Sequence, residues 1–302
     1  MKKPVKKDKD ASSEGSKKLR AASFSIFVNV FLIALKGVVT VLTGSLAILA
    51  ELAHSVFDML ASLFAYAGIK KAEEPADKTH LYGHEKYENL SSFAQTILIV
   101  VTSVLIIYEA LSRIAAPRKI EATELGLVVM VVTIGIDYFL SRYLHRTSKK
   151  YGSAALEADA YHFTTDLWGA LAVIIGLGFV LLGFPVFDAI AAITVALLML
   201  WISYGLGKKS INVLTDRSPS DEVLERIEKI VASTPGVKSF HNLRARQAGA
   251  KIFIDLDMHV SPQITVRRAH AVSHNVKKRL MKEMPNIKNV NIHIEPHLPE
   301  KE

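Results

Sequence analysis

The sequence predicts a mostly α-helical membrane protein, a bundle of six membrane-spanning helices followed by a small C-terminal α+β domain of order αββαβ. Half of the 302 residues are apolar and the mean hydropathy is +0.26, above that of an ordinary soluble domain of this length. Six apolar runs are long enough to cross roughly 30 Å of hydrocarbon. Beyond residue 217 the pattern changes to amphipathic helix and alternating strand.

The spans are expected near 21 to 43, 45 to 69, 90 to 112, 123 to 144, 155 to 183 and 186 to 206, within a membrane domain of 21–208. Before them, Lys2, Lys3, Lys6, Lys7, Lys9, Lys17, Lys18 and Arg20 are concentrated in residues 1–20. About twenty polar residues precede the first apolar run, unlike a secretory signal, so this segment is expected as a disordered basic tail. The joints at Thr43-Gly44 and Gly183-Phe184-Pro185 are hairpin turns that make the flanking helices antiparallel neighbours. Basic loops at 70 to 88 and 142 to 152 join the tail on the cytoplasmic side, which places both termini there. The loop at 113 to 121 is assigned outside despite Arg113, Arg118 and Lys119.

A linker (209–216) leads to the domain at 217–297, with 298–302 as a short tail. Ser218 and Ser220 offer N-caps for a helix through Val231, stopped by Pro235-Gly236. Strands Val237 to Gln247 and Lys251 to Val260 flank the turn Ala248-Gly249-Ala250. A helix from Val266 to Lys282 and a strand from Val290 to Glu295 complete the order. A unit of this size is helped by dimerisation.

The absence of cysteine excludes disulfides, thiolate metal sites and thiol catalysis, so any metal ligand is His or carboxylate. The net charge of +8 reads as membrane topology rather than nucleic-acid binding. Charges inside a span cost several kcal/mol and need a partner or a function. The second span carries Glu51, His54 and Asp58, and the fifth carries Asp159, His162 and Asp166. These are E-x-x-H-x-x-x-D and D-x-x-H-x-x-x-D, an acidic-His-Asp series repeated at identical spacing on one helical face. If the faces meet, His54, Asp58, His162 and Asp166 supply two imidazoles and two carboxylates. That set suits tetrahedral Zn²⁺ and neutralises its charge. Glu51 and Asp159 stand one turn behind, placed to orient the histidines or relay protons. The competing reading is a pair of structural polar clusters, which does not account for the duplication. Lys36 and Asp137, also inside spans, are read as structural.

On Thr43-Gly44-Ser45 with Ala47 leading into His54-Ser-Val-Phe-Asp58, on the matching His162-Phe-Thr-Thr-Asp166, and on six helices with a cytoplasmic αββαβ domain, the chain resembles the cation diffusion facilitators, the zinc transporter family. The resemblance covers nearly everything after the tail. It implies a homodimeric exporter, in the cell membrane, that exchanges cytoplasmic Zn²⁺ for protons, with a ferredoxin-like, metallochaperone-like domain. Zinc is both substrate and regulatory ligand in this reading. Cd²⁺, Co²⁺, Fe²⁺, Mn²⁺ and Ni²⁺ remain alternatives, because affinity order alone excludes none of them.

Between the second and third spans, Asp77-x2-His80-x3-His84 converges on one ion if the loop turns back at Gly83. The resemblance places a second metal site there. It also pairs Lys86 with Asp216 across the boundary between membrane and domain, and maps a regulatory site onto His241, Asp257, His270, His293 and Glu295. Asp257 and Glu295 differ from residue types common among relatives, and His259 and His274 are candidates to compensate. An intramembrane metalloprotease lacks its H-E-x-x-H here, so the chain is not expected to be an enzyme. A metal-responsive sensor without transport stays as the other reading.

Overall fold

The computed structural model describes residues 6–43, 46–115, 124–181 and 186–298. Six long helices come first: α1 (Lys6–Thr43), α2 (Leu46–Ala72), α3 (Lys86–Ala115), α4 (Glu124–Tyr151), α5 (Ala154–Leu181) and α6 (Val186–Leu214). Then follow α7 (Asp221–Ala232), β1 (Ser239–Ala248), β2 (Lys251–Val260), α8 (Val266–Glu283) and β3 (Ile287–Pro296). The chain divides into two compact units, 1–211 and 212–302.

In the first unit, Ser13–Leu42, Lys86–Ser112, Val128–Tyr151 and Ala189–Leu214 are long and apolar enough to cross a membrane. The helices α2 and α5, at 27 and 28 residues, have the length and carry the acidic-His-Asp series. The bundle turns Phe27, Val41, Phe139 and Trp201 outward, an apolar surface that lipid rather than water accommodates. Inside, Ala21, Ala22, Ala65, Ala155 and Ala160 are fully buried, and these small residues let α1, α2 and α5 approach closely. Gly68 serves the same end at α2 and α3, since a Cβ there would come within 2.3 Å of the Ser91 Cβ.

The N-terminal segment differs from the expected disordered tail, because α1 is already helical from Lys6. Lys18 is buried, with Nζ 2.6 Å from Glu88 Oε1 and 3.5 Å from Glu73 Oε1, while Ser153 Oγ donates to Glu88 Oε2 at 2.5 Å. Lys, Ala and Glu are good helix formers, and this buried partner extends the span outward past its apolar edge. The hairpin residues Gly44, Ser45, Gly183, Phe184 and Pro185 lie outside the described residues, as do residues 116–123 of the loop between α3 and α4.

The second unit has the αββαβ order, with β1 antiparallel to β2 and β2 parallel to β3. Its core joins Ile227 and Val231 of α7, Ile252, Ile254, Leu256 and Met258 of β2, and Val276 and Leu280 of α8. The alternation in β2 sends these apolar residues inward and Asp255, Asp257 and His259 to the other face. Ser220 holds the N-cap position of α7 with extended backbone but makes no side-chain capping bond, whereas Thr265 caps α8 by accepting from Arg268 N.

The Lys18 and Glu88 pair gives a stability prediction. Glu88→Ala removes the nearer partner of a buried lysine and leaves it only the longer contact to Glu73, a change that approaches the about 3–5 kcal/mol of a broken buried pair, while Lys18→Met combined with Glu88→Leu should be milder. Thermal unfolding of the full chain in detergent checks this. A double variant melting as low as the single one would show that the pair does not set the stability of this region.

Candidate metal centres

The membrane centre is assembled where α2 packs on α5. His162 and Asp166, four residues apart, lie on one face of α5, and Asp58 approaches from α2. His162 Nε2 is 3.1 Å from Asp58 Oδ1 and 3.7 Å from Asp166 Oδ2. Two ligand atoms each about 2.1 Å from a tetrahedral ion stand about 3.4 Å apart, so these separations bracket what one ion requires. His162 and Asp58 are buried, and among the described residues neither ring nitrogen of His162 has a partner in hydrogen-bond geometry. A buried imidazole in that state is suited to a further ligand.

Behind His162, Asp159 is fully buried and its Oδ1 accepts from Ser62 Oγ at 2.8 Å. Ser62 in turn accepts from Asn29 Nδ2 at 2.9 Å and contacts Ser25 Oγ at 2.8 Å. Asp159 is thereby fixed by α1 and α2 rather than bonded to His162. His54 and Glu51 belong to α2, one and two turns before Asp58, but their side chains lie outside the described residues.

Two residues read from the sequence as structural come close to this centre. Asp137 of α4 is buried and within electrostatic reach of Asp166, Asp58, His162 and Lys36. Lys36 of α1 is buried and donates to Ser55 Oγ at 2.9 Å, three residues before Asp58. Their formal charges are opposite. Neither belongs to a repeated spacing in its span, and an unrepeated charged residue gives no periodicity from which its face can be read.

The loop between α2 and α3 does turn back at Gly83, whose φ of 98° is open to glycine. The ligating atoms of Asp77, His80 and His84 lie within 4.8 Å of one another. Asp77 Oδ1 accepts from Thr79 N, Thr79 Oγ1 and His80 N at 2.8, 2.8 and 2.6 Å. These bonds hold the Asp77 carboxyl well below the usual carboxylate range. Its other oxygen, Oδ2, is 3.3 Å from Nε2 of the buried His84, a ring nitrogen with no partner in hydrogen-bond geometry.

In the second unit, strand register builds a third cluster. His241 is opposite Asp257, Asp257 opposite His293, and His259 opposite Glu295. His241, His259 and Glu295 converge, with His259 Nε2 2.9 Å and His241 Nε2 3.7 Å from Glu295 Oε2. His293 Nε2 is 3.6 Å from Glu295 Oε1. Asp257 Oδ2 lies 3.7 Å from His241 Nε2 but accepts from Asn242 Nδ2 at 2.7 Å. His270 sits on α8 beside His274, their rings 6.3 Å apart, and among the described residues it makes no ion pair with the cluster. The donor set centres on His259 rather than Asp257, a preference that the shared strand face permits and only the register decides. Asp216, with φ of 58°, has Arg246 Nη1 at 3.3 Å.

Three His and carboxylate groupings, one of them buried inside a helix bundle, suit a protein that handles divalent metal. The cation efflux transmembrane domain matches residues 22–215, and the cation efflux protein cytoplasmic domain matches residues 219–297. The chain belongs to the cation efflux family. These are the cation diffusion facilitators, integral membrane transporters, and metal cation efflux is the activity of this member. It is 30% identical over 271 residues to an uncharacterized transporter of Methanocaldococcus jannaschii, covering 90% of this chain and 95% of that one. It is also 30% identical to the cation-efflux pump FieF of Serratia proteamaculans, covering 84% of each chain. Metal tolerance protein C1 of Arabidopsis thaliana is 32% identical over 84% of this chain, which spans 57% of that longer protein.

The loop yields a pH prediction. A carboxyl whose folded value is depressed stabilises the fold above its unfolded value, near 3.9, and that contribution is lost only as pH falls below it toward the folded value. Amide protection of residues 77 to 84 should therefore be flat from pH 7 to about pH 5 in the metal-free protein, and Asp77→Asn should lower it throughout. Hydrogen exchange checks both. Equal protection in wild type and Asp77→Asn would remove the carboxylate from its role in shaping the loop.

Proposed function

We propose that this chain exports divalent transition metal, zinc foremost, from the cytoplasm in exchange for protons. It works as a homodimer in the plasma membrane, six helices per chain crossing the bilayer and both termini cytoplasmic. The observation that carries the reading is the buried His162 Nε2 between the carboxylates of Asp58 and Asp166. His54 completes the set in this proposal. One or two imidazoles with two carboxylates favour zinc over the oxygen-only sets that suit manganese.

Proton exchange follows from the same atoms. An imidazole binds metal only when neutral and a carboxylate only when ionised, so protons and metal compete for the ligands. Asp159, with Ser62 behind it, and Glu51 are proposed to orient the histidines or pass protons. The loop set Asp77, His80 and His84 is proposed to receive metal at the cytoplasmic face. The domain set of His241, Asp257, His270, His293 and Glu295, with His259 in the central place, is proposed as a regulatory zinc site. Lys86 and Asp216 are proposed to couple the membrane bundle to the domain. The basic ends of α2 (Lys70, Lys71) and α4 (Lys149, Lys150) support the cytoplasmic assignment.

Zinc flux in sealed proteoliposomes tests this. Asp58→Ala and Asp166→Ala should each lower flux by at least about a hundredfold, and Ser62→Ala by about tenfold, since groups supporting a ligand typically contribute 10–100-fold. Flux should follow an imposed pH gradient and reverse with it. Undiminished flux in both aspartate variants would remove the site, and zinc binding without flux would make the protein a sensor.

A further inference from the structure

We propose that the groove between α1 and α4 at the basic end of the bundle binds the phosphate headgroup of an anionic phospholipid. The groove has a volume of about 410 Å³ and is lined by Lys17 and Arg20 of α1 and by Arg146, Lys150, Tyr143 and Tyr151 among residues of α4. That volume falls within the roughly 300–1,000 Å³ of small-molecule sites. Lys17 and Arg20 are three residues apart and Arg146 and Lys150 four apart, so each pair lies on one helical face and the two faces meet across the groove.

Among the described residues, no carboxylate lines this groove, and none of its four cations takes part in an ion pair. Three cations of the same unit are matched, Lys18 by Glu88, Lys71 by Glu74 and Lys209 by Glu157; the groove differs from its other surface cations in gathering four of them in one concavity. Four like charges brought together raise the local positive potential, and a bound anion lowers it. Guanidinium forks from Arg20 and Arg146 match the oxygens of a phosphate, and the tyrosine hydroxyls add donors beside them.

The surface running away from the groove selects lipid over dissolved phosphate. The membrane-crossing stretches Ser13–Leu42 and Val128–Tyr151 both have their basic ends here, so the groove opens at the edge of the apolar bundle. From Arg20 the same face of α1 continues through the exposed Phe24, Phe27 and Phe31. From Arg146 the face of α4 continues through the exposed Tyr143 and Phe139, and Phe24 meets Tyr143 edge to face at 5.8 Å. Cations at the membrane surface followed by aromatic stripes along two helices match a charged headgroup followed by its acyl chains. Basic pockets between membrane helices on the cytoplasmic side are a general form of anionic-lipid site.

The full-length protein in phosphatidylcholine nanodiscs doped with phosphatidylglycerol, read by native mass spectrometry for retained lipid, tests the assignment. The wild type should retain phosphatidylglycerol over phosphatidylcholine. At about fivefold per cation, Arg20→Gln with Arg146→Gln should lower that preference by about 25-fold. Arg20→Lys with Arg146→Lys should keep most of it, which separates lost charge from lost folding. Arg142→Gln with Lys149→Gln removes two cations of α4 from outside the groove and should leave it unchanged. Three results would overturn the proposal: no preference in the wild type, an equal loss in the control pair, or release of the lipid by excess inorganic phosphate, which would assign the groove to a soluble anion.

Discussion

The approach of His162 to Asp58 and Asp166 is the interaction around which the membrane unit is arranged. An ionisable group among apolar helices must be matched nearby or it pulls the bundle apart. Asp58 reaches His162 only if α2 lies against α5, and Asp159, anchored by Ser62 and through it by Ser25 and Asn29, ties α1 to the same place. Lys36, through Ser55, and Asp137 also bring charges of α1 and α4 near the site. The fully buried alanines at these contacts allow the approach that the polar groups need. Candidate metal site and helix packing thus draw on the same residues.

That dependence explains which parts could be read from the sequence. The duplicated acidic-His-Asp series was legible because two helices repeat one spacing, and a helix turns spacing into a shared face. Asp58, His162 and Asp166 accordingly meet in the structure. The domain order was legible from alternation and turn residues, and so was the face of β2 that carries Asp257 and His259. The pairing of His259 with Glu295 was not, because it depends on the register of two strands joined through a whole helix. Nor was the burial of Lys18, whose partner Glu88 is seventy residues away. A run of lysines reads as a solvated tail until the residue that matches one of them is known.

The three His and carboxylate clusters differ in how they are built, and the difference fits their places. In the membrane unit the ligands are held by helix packing and a chain of hydroxyl and amide contacts, with His162 kept from water. In the loop, Asp77 is held by local backbone and hydroxyl bonds, and of the three members only His84 is buried while Asp77 and His80 are exposed. In the domain, the cluster stands on a half-exposed sheet face, positioned by strand register and by contacts from Asn242 and Ser239. A path from the loop to the bilayer site would run from a more exposed to a more buried set of donors.

The most direct test of the account is the coordination shell of zinc in the membrane site. It is measured by X-ray absorption on full-length protein whose loop and domain clusters have been removed by Asp77→Ala, His84→Ala, His259→Ala and Glu295→Ala. The account predicts a nitrogen and oxygen shell at about 2.0–2.2 Å with imidazole scattering. That scattering should fall in His162→Asn, and bound zinc should be lost in Asp58→Ala. A shell unaffected by either substitution would contradict the claim that these residues hold the transported ion.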